Sequence, residues 1–180
     1  MDKIRIVDKE FRLLVSCDKI QESIDRMAHQ MNADMKGRNV IFLGILNGAF
    51  MFVSDLIRRI DLECQVSFLK LATYEGSSSS GSIKRLIGLD EDISGKTVVI
   101  LEDIIDTGFT IDSILKQLKG YGPGDIKIAA LFFKPDKFNR DSKPDYIGIE
   151  IPNDFVAGFG LDYKGYGRNL RDIYVMTDEK

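Results

Sequence analysis

The 180-residue chain lacks the features that would place it in several large functional classes. No G-x-x-x-x-G-K-[ST] occurs, which excludes a P-loop nucleoside triphosphatase. Cys17 and Cys64 are the only cysteines. They are too few for a disulfide framework, fit no metal-ligand spacing, and read as reduced thiols in or near the core. His29 is the single histidine and lies off the apolar stripe of its segment, so histidine leaves the catalytic candidates. No apolar run approaches the length of a membrane span. The opening M-D-K-I-R-I-V-D-K-E has no apolar h-region of the secretory kind. A cytoplasmic protein with no membrane partner is therefore expected. A net charge of −3 without a dense Lys/Arg run gives no electrostatic case for nucleic acid. What is present is ordinary for a globular protein, 44% hydrophobic and 29% charged, in a length that suits one domain with a full core.

Apolar periodicity divides the chain into alternating elements. Ile20, Ile24, Met27, Met31 and Met35 recur at helical spacing. Asp18 with Gln21 offers a capping pair for that helix and Gly37 a stop. Val40–Leu46 is a continuous apolar strand, and Ala49, Phe52, Val53, Leu56, Ile57 and Ile60 define a second helix. Val66–Leu71, Val98–Leu101 and Ile126–Phe133 read as further strands, with a helix marked by Ile111, Ile114, Leu115 and Leu118. Strands buried on both faces and separated by helices predict an α/β fold with a parallel sheet. Tyr146–Ile149, Phe155–Phe159 and Ile173–Met176 look like short strands with no helix between them, so the C-terminal third is expected to form a cover above the sheet.

The most informative stretch is Val98–Thr110, V-V-I-L-E-D-I-I-D-T-G-F-T. Four apolar residues end in Glu102 and Asp103, where a parallel sheet binds its ligands. The following loop carries Asp106, Thr107, Gly108 and Thr110 into a helix N-terminus, which presents backbone N–H groups to anions. Acids that can accept from hydroxyls or face hydrated Mg²⁺ thus precede a phosphate cradle. A sugar phosphate fits that order of groups.

This wording closely resembles the phosphoribosyl-pyrophosphate signature of the type I phosphoribosyltransferases, and E-D-I-I-D-T-G in particular resembles their hypoxanthine-guanine branch. The resemblance runs from about Val40 to Val175. It implies a parallel-sheet core over residues 16–135, flanked by helices, and a small hood from residues 1–15 and 136–180. It also implies a flexible lid at residues 73–82, T-Y-E-G-S-S-S-S-G-S, whose composition alone is that of a solvated linker. By the same resemblance, Asn47, Gly48, Thr73, Tyr74, Glu102, Asp103, Asp106, Thr107, Gly108, Phe109, Thr110 and Arg168 would hold phosphoribosyl pyrophosphate. The backbone of Asn47-Gly48 would do so through a cis Leu46–Asn47 peptide. Lys134 would donate to a purine 6-oxo group, Phe155 would stack on the ring, and Val156 and Asp162 would meet its edge. Glu102, Asp103 and Asp162 would hold Mg²⁺. Asn47 and Phe109 stand where relatives often carry lysine, so two positive charges near phosphate are missing.

The expected activity is transfer of the 5-phosphoribosyl group from phosphoribosyl pyrophosphate to N9 of hypoxanthine or guanine, with Asp106 as general base. The products would be IMP or GMP and pyrophosphate, and the resemblance implies a homodimer or homotetramer. A nucleotide-sensing, RNA-binding regulator on the same scaffold is the rival of a different class, and it requires a basic face. A xanthine-preferring transferase is the rival within the enzyme class.

Overall fold

The computed structural model describes residues 3–74, 83–139 and 143–177. In chain order the strands are β1 (Lys3–Ile6), β2 (Lys9–Val15), β3 (Val40–Leu46), β4 (Cys64–Tyr74), β5 (Ile83–Ile87), β6 (Thr97–Ile105), β7 (Asp125–Phe133), β8 (Tyr146–Glu150), β9 (Val156–Ala157) and β10 (Ile173–Met176). The α-helices are α1 (Cys17–Asp34), α2 (Phe50–Ile57) and α3 (Phe109–Leu118).

Six strands form the large sheet in the order β5-β4-β3-β6-β7-β8. All neighbours run parallel except β5, which pairs antiparallel with β4. The chain therefore starts this sheet at β3, adds β4 on one side, and then crosses to build β6, β7 and β8 on the other. The order reverses between β3 and β6, and ligands of open α/β sheets bind at such a reversal, beyond the carboxyl ends of the strands. Register makes the crevice concrete. β3 and β6 stay paired only as far as Gly44 and Leu101, whereas β6 continues with β7 to Ile105 and Phe133.

The expected parallel α/β core is what forms, because both faces of these strands are covered. Ile20, Ile24, Met27 and Met31 of α1 and Phe52, Val53 and Leu56 of α2 pack on Val40, Phe42, Val99 and Leu101. Ile111, Ile114 and Leu118 of α3 pack on Ile41, Leu43, Val98 and Ile100 from the opposite face. The methionine stripe is thus core filler, and His29 lies exposed. A second, antiparallel sheet has the order β1-β2-β10-β9. It joins the main core through Val15, Val156, Ile173 and Val175.

Three expectations need correction. β6 does not stop at Leu101, so Glu102 and Asp103 lie inside a strand; their polarity marks the sheet's binding edge and not the end of the ladder. β8 belongs to the large sheet, with Ala129 opposite Tyr146 and Phe133 opposite Glu150, so the cover begins after it. Chain length allows this, because parallel strands need a crossover of about a dozen residues, which is usually but not always a helix. The start of α1 is not capped by its own sequence: Ser16 makes no side-chain cap bond, and Gln21 instead bonds Asp55 and Arg59. Asp172, far along the chain, accepts from the Cys17 N–H at 2.7 Å. Most of the glycine-serine stretch, residues 75–82, lies outside the described residues. Thr73 and Tyr74 end β4, with their backbones opposite Lys84 and Ile83.

Phe42 is fully buried at the centre of the sheet. Phe42→Ala is expected to cost about 3–5 kcal/mol through lost transfer and a residual cavity, read as a shift in the urea unfolding midpoint with an unchanged slope.

Candidate active site

Every strand-to-loop transition at the carboxyl edge of the parallel strands carries polar residues, and their geometry defines two adjoining clusters. The first lies at the β3–β6 crevice. Strand pleating alternates side chains between faces, so Glu102 is in phase with Val98 and Ile100, and Asp103 with Val99 and Leu101. Both acids are buried, at 8% residual exposure each. Burial pushes the Glu102 carboxyl well above its ordinary value, with a further contribution from the neighbouring Asp103. Burial likewise raises Asp103, from 3.8 to about 6; its own backbone hydrogen bonds and the Arg168 guanidinium oppose the shift, and Asp162 adds to it. Glu102 Oε2 is buried with no hydrogen-bond partner among the described residues.

The loop after β3 is pressed onto these acids. The Leu46–Asn47 peptide is cis. A Cβ on Gly48 would sit 1.5 Å from Asp103 Oδ2, so only glycine leaves room for the carboxylate. On its other side the loop meets Gly160, where a Cβ would sit 2.1 Å from the Gly48 carbonyl oxygen and φ is +95°. Gly160 in turn is clamped by Arg168. The Arg168 backbone oxygen accepts from Gly160 N at 3.0 Å, and its Nη1 donates to Gly160 O at 2.6 Å. Its Nη2 lies 2.5 Å from Asp162 Oδ1, while Asp162 Oδ2 accepts from Gly165 N at 2.7 Å. The structure thus brings Gly48, Asp103, Asp162 and Arg168 into one continuous set of contacts. Among the described residues no three His, Cys, Asp or Glu side chains converge as a ready-made metal cage. The orphaned oxygen of Glu102 and the buried Asp103 still suit a hydrated Mg²⁺, which keeps several waters and binds through one or two carboxylates plus ligand phosphates.

The second cluster lies at the ends of β6 and β7. Loop residues 106–110 enter α3 through Gly108, which takes the left-handed conformation at φ +82°, so the helix starts two residues earlier than Ile111. Thr107 Oγ1 accepts from Phe109 N at 3.4 Å, and the ring of Phe109 is 74% exposed. Residues 102–111 line a cleft of about 260 Å³. Asp106 sits at its rim with Oδ2 3.3 Å from Lys134 Nζ and 3.5 Å from Lys137 Nζ. Its other oxygen, Oδ1, is buried without a hydrogen-bond partner among the described residues. Lys134 is itself buried, at 5% exposure, an unusual state for lysine unless paired.

Phe155 is 40% exposed and meets Tyr163 edge to face at 5.8 Å. Tyr163 also packs on Phe11 of β2 at 5.8 Å, so the N-terminal strands support the aromatic platform. Val156 is buried in β9, opposite Val175 of β10. Gly160, Lys137 and Tyr163 were missed from sequence. The repeated glycines of A-G-F-G and the aspartate-tyrosine pair in G-L-D-Y were the available signals for two of them, and Lys137 had none. The side chains of Thr73 and Tyr74 fall outside what the structure describes.

The buried acids carry a stability consequence with a definite sign. Burial holds Asp103 near 6 in the folded state against its ordinary 3.8, so the folded protein holds the proton more tightly than the unfolded chain. The penalty is therefore present above pH 6 and is relieved as pH falls from 6 towards 4. Asp103→Asn should melt higher than the parent at pH 8, by an amount on the order of 1–3 kcal/mol, and the difference should shrink below pH 6. Thermal unfolding across that range checks it, and an unchanged gap between pH 8 and pH 4.5 would reject the assignment.

Comparison with known proteins converges on one family. Residues 16–164 match the phosphoribosyl transferase domain. The hypoxanthine-guanine phosphoribosyltransferase of Lactococcus lactis is 38% identical over 169 residues, covering 93% of this chain and 92% of that protein. A crystal structure of a hypoxanthine phosphoribosyltransferase from Staphylococcus aureus superposes with a TM-score of 0.81 at 35% identity, covering 92% and 91% of the two chains. The bifunctional protein TilS/HprT of Listeria innocua is 36% identical over 169 residues, and there the chain spans only 26% of the longer protein's length. With its reversal-point crevice, its acid pair and its Asp106 loop, the chain belongs to the phosphoribosyltransferase family.

Proposed function

We propose that this chain transfers the 5-phosphoribosyl group from phosphoribosyl pyrophosphate to N9 of hypoxanthine or guanine, forming IMP or GMP and pyrophosphate in purine salvage. The observation that carries this reading is the adjacency of two half-sites at one sheet edge. One half is acid and backbone, pinned by Gly48, Asp103, Gly160 and Arg168. The other is the Asp106–Lys134 pair beside the α3 N-terminus.

Each group has a role its geometry supports. The amides entering α3 and the hydroxyls of Thr107 and Thr110 hold the 5′-phosphate, because a helix N-terminus favours anions. Glu102 and Asp103 accept from the ribose hydroxyls. Arg168 and the backbone of Asn47-Gly48 face the pyrophosphate, a planar guanidinium being suited to two phosphate oxygens at once. Glu102, Asp103 and Asp162 are the residues proposed to hold Mg²⁺, which when bound would neutralise charge on the departing pyrophosphate. Asp162 must then loosen its bonds to Arg168 and Gly165.

Phe155 offers its exposed ring to the purine face. Lys134 donates to the 6-oxo group. A 6-amino base would set donor against donor and leave a buried polar group unpaired, at about 1–3 kcal/mol. Asp106 takes the proton of the imidazole ring as N9 forms its bond to ribose, a role supported by an Oδ1 with no hydrogen-bond partner among the described residues. The proposed lid over residues 73–82 keeps water from the activated ribose. The exposed apolar side chains Phe50, Val66 and Phe68, each about 40% exposed, support assembly into a homodimer or homotetramer. A cytoplasmic setting suits the substrates.

Incubation with phosphoribosyl pyrophosphate, Mg²⁺ and an equimolar panel of nucleobases should yield IMP and GMP. Predominant product from xanthine would move the substrate assignment, and no nucleotide at all would remove it. Chelation with EDTA should abolish turnover and added Mg²⁺ restore it. Asp106→Asn should lower kcat by roughly 10²–10⁴, while calorimetry still detects phosphoribosyl pyrophosphate binding. Near-parental turnover in that variant would sink the base assignment.

A further inference from the structure

The Asp106 carboxylate is served by two lysines that differ in everything but their target. Both ammonium groups lie on the same oxygen, Oδ2, with Lys134 Nζ at 3.3 Å and Lys137 Nζ at 3.5 Å. Lys134 arrives from the end of β7 with its side chain 6% exposed, and Lys137 arrives with 43% exposed. Lys137 is held by a closed turn. Its own N–H and that of Phe138 donate to the Lys134 carbonyl oxygen at 3.3 and 3.2 Å. The Phe138 ring locks the turn onto Phe133 at 5.1 Å, edge to face. The turn therefore returns Lys137 towards the residue that begins it.

Resting on the substrate reading above, we propose that Lys137 is a positioning residue for the purine half-site, sharing the charge of Asp106 so that Lys134 can serve the base. A buried ammonium offered both a carboxylate and a neutral oxo oxygen is drawn to the carboxylate, because charge-assisted bonds are the stronger. With Lys134 as the sole counter-ion, Asp106 would hold it back from the purine. A second cation on Oδ2 divides that attraction, and it leaves Oδ1 unpaired for the imidazole proton. Among the described residues the ion-pair partner of Lys137 is Asp106, so its influence is expected to fall on the base.

Equilibrium binding to the whole chain tests this without relying on turnover. Lys137→Met should raise the Kd for IMP roughly three- to tenfold, the range of a partly exposed ion pair acting through a buried neighbour. The Kd for phosphoribosyl pyrophosphate with Mg²⁺ should change by less than about twofold. Lys137→Arg should restore IMP binding. In an Asp106→Asn background, Lys137→Met should have no further effect, because the charge it shares is gone. An unchanged Kd for IMP in Lys137→Met, or an equal loss in both backgrounds, overturns the proposal while the substrate reading stands. If the parent protein fails to bind IMP, the substrate reading fails and this inference falls with it.

Discussion

Two carboxylates held out of water where β3 and β6 part are the constraint around which the carboxyl edge is organised. Desolvation disfavours their charged forms, and both carboxyls sit above their ordinary values for that reason. Among the described residues neither has a cation within ion-pair distance, and the Arg168 guanidinium acts on Asp103 only as a more distant field. An arrangement so unfavourable to the isolated fold is sustained because the sheet on either side is dense and continuous. Val98–Leu101 and Ala129–Phe133 are almost wholly buried. The strain a binding site stores is offset by the core beneath it.

The same edge explains why the second sheet is where it is. Loop 158–168 descends from β9 and lays Gly160 against Gly48, so the loop that follows β3 is gripped between an acid below and a backbone above. Arg168 fastens the grip from both its main chain and its guanidinium. Phe155 and Tyr163 hang from the same region, with Phe11 behind them. Residues separated by more than 100 positions thus meet at one edge of the sheet, and the amino-terminal strands take part only as support. The Asp172 bond to the first amide of α1 ties this cover back to the opposite layer.

Much of this was legible because the residues are chemically conspicuous where they stand. Glu102 and Asp103 interrupt an apolar run, and Asp106-Thr107-Gly108 sits between a strand pattern and a helix pattern. Lys134 follows six consecutive buried strand residues. Such contrasts survive in one dimension. Gly160 offers only the repeated glycines of A-G-F-G, and what demands glycine there is a carbonyl oxygen 112 residues earlier in the chain. Lys137 reads as one more surface lysine in K-P-D-K, and only a turn closed on the Lys134 carbonyl directs it to Asp106. The capping of α1 misled for a related reason. Asp18 and Gln21 have the right spacing for a local cap, but a distant carboxylate reached the amide first.

Periodicity and local chemistry by themselves determined the parallel α/β core, the methionine face of α1, and the position of the acid-rich loop at the carboxyl edge of the sheet. They could do so because strand and helix repeats are local, and burial on two faces leaves few other arrangements for such strands. Tertiary structure decided that β8 completes the large sheet, that β6 carries its acids as part of the ladder, and that Asp106 is shared by two lysines. Those outcomes depend on register between strands and on which loop reaches which edge. They are settled by packing across the sheet, and no stretch of chain contains both partners.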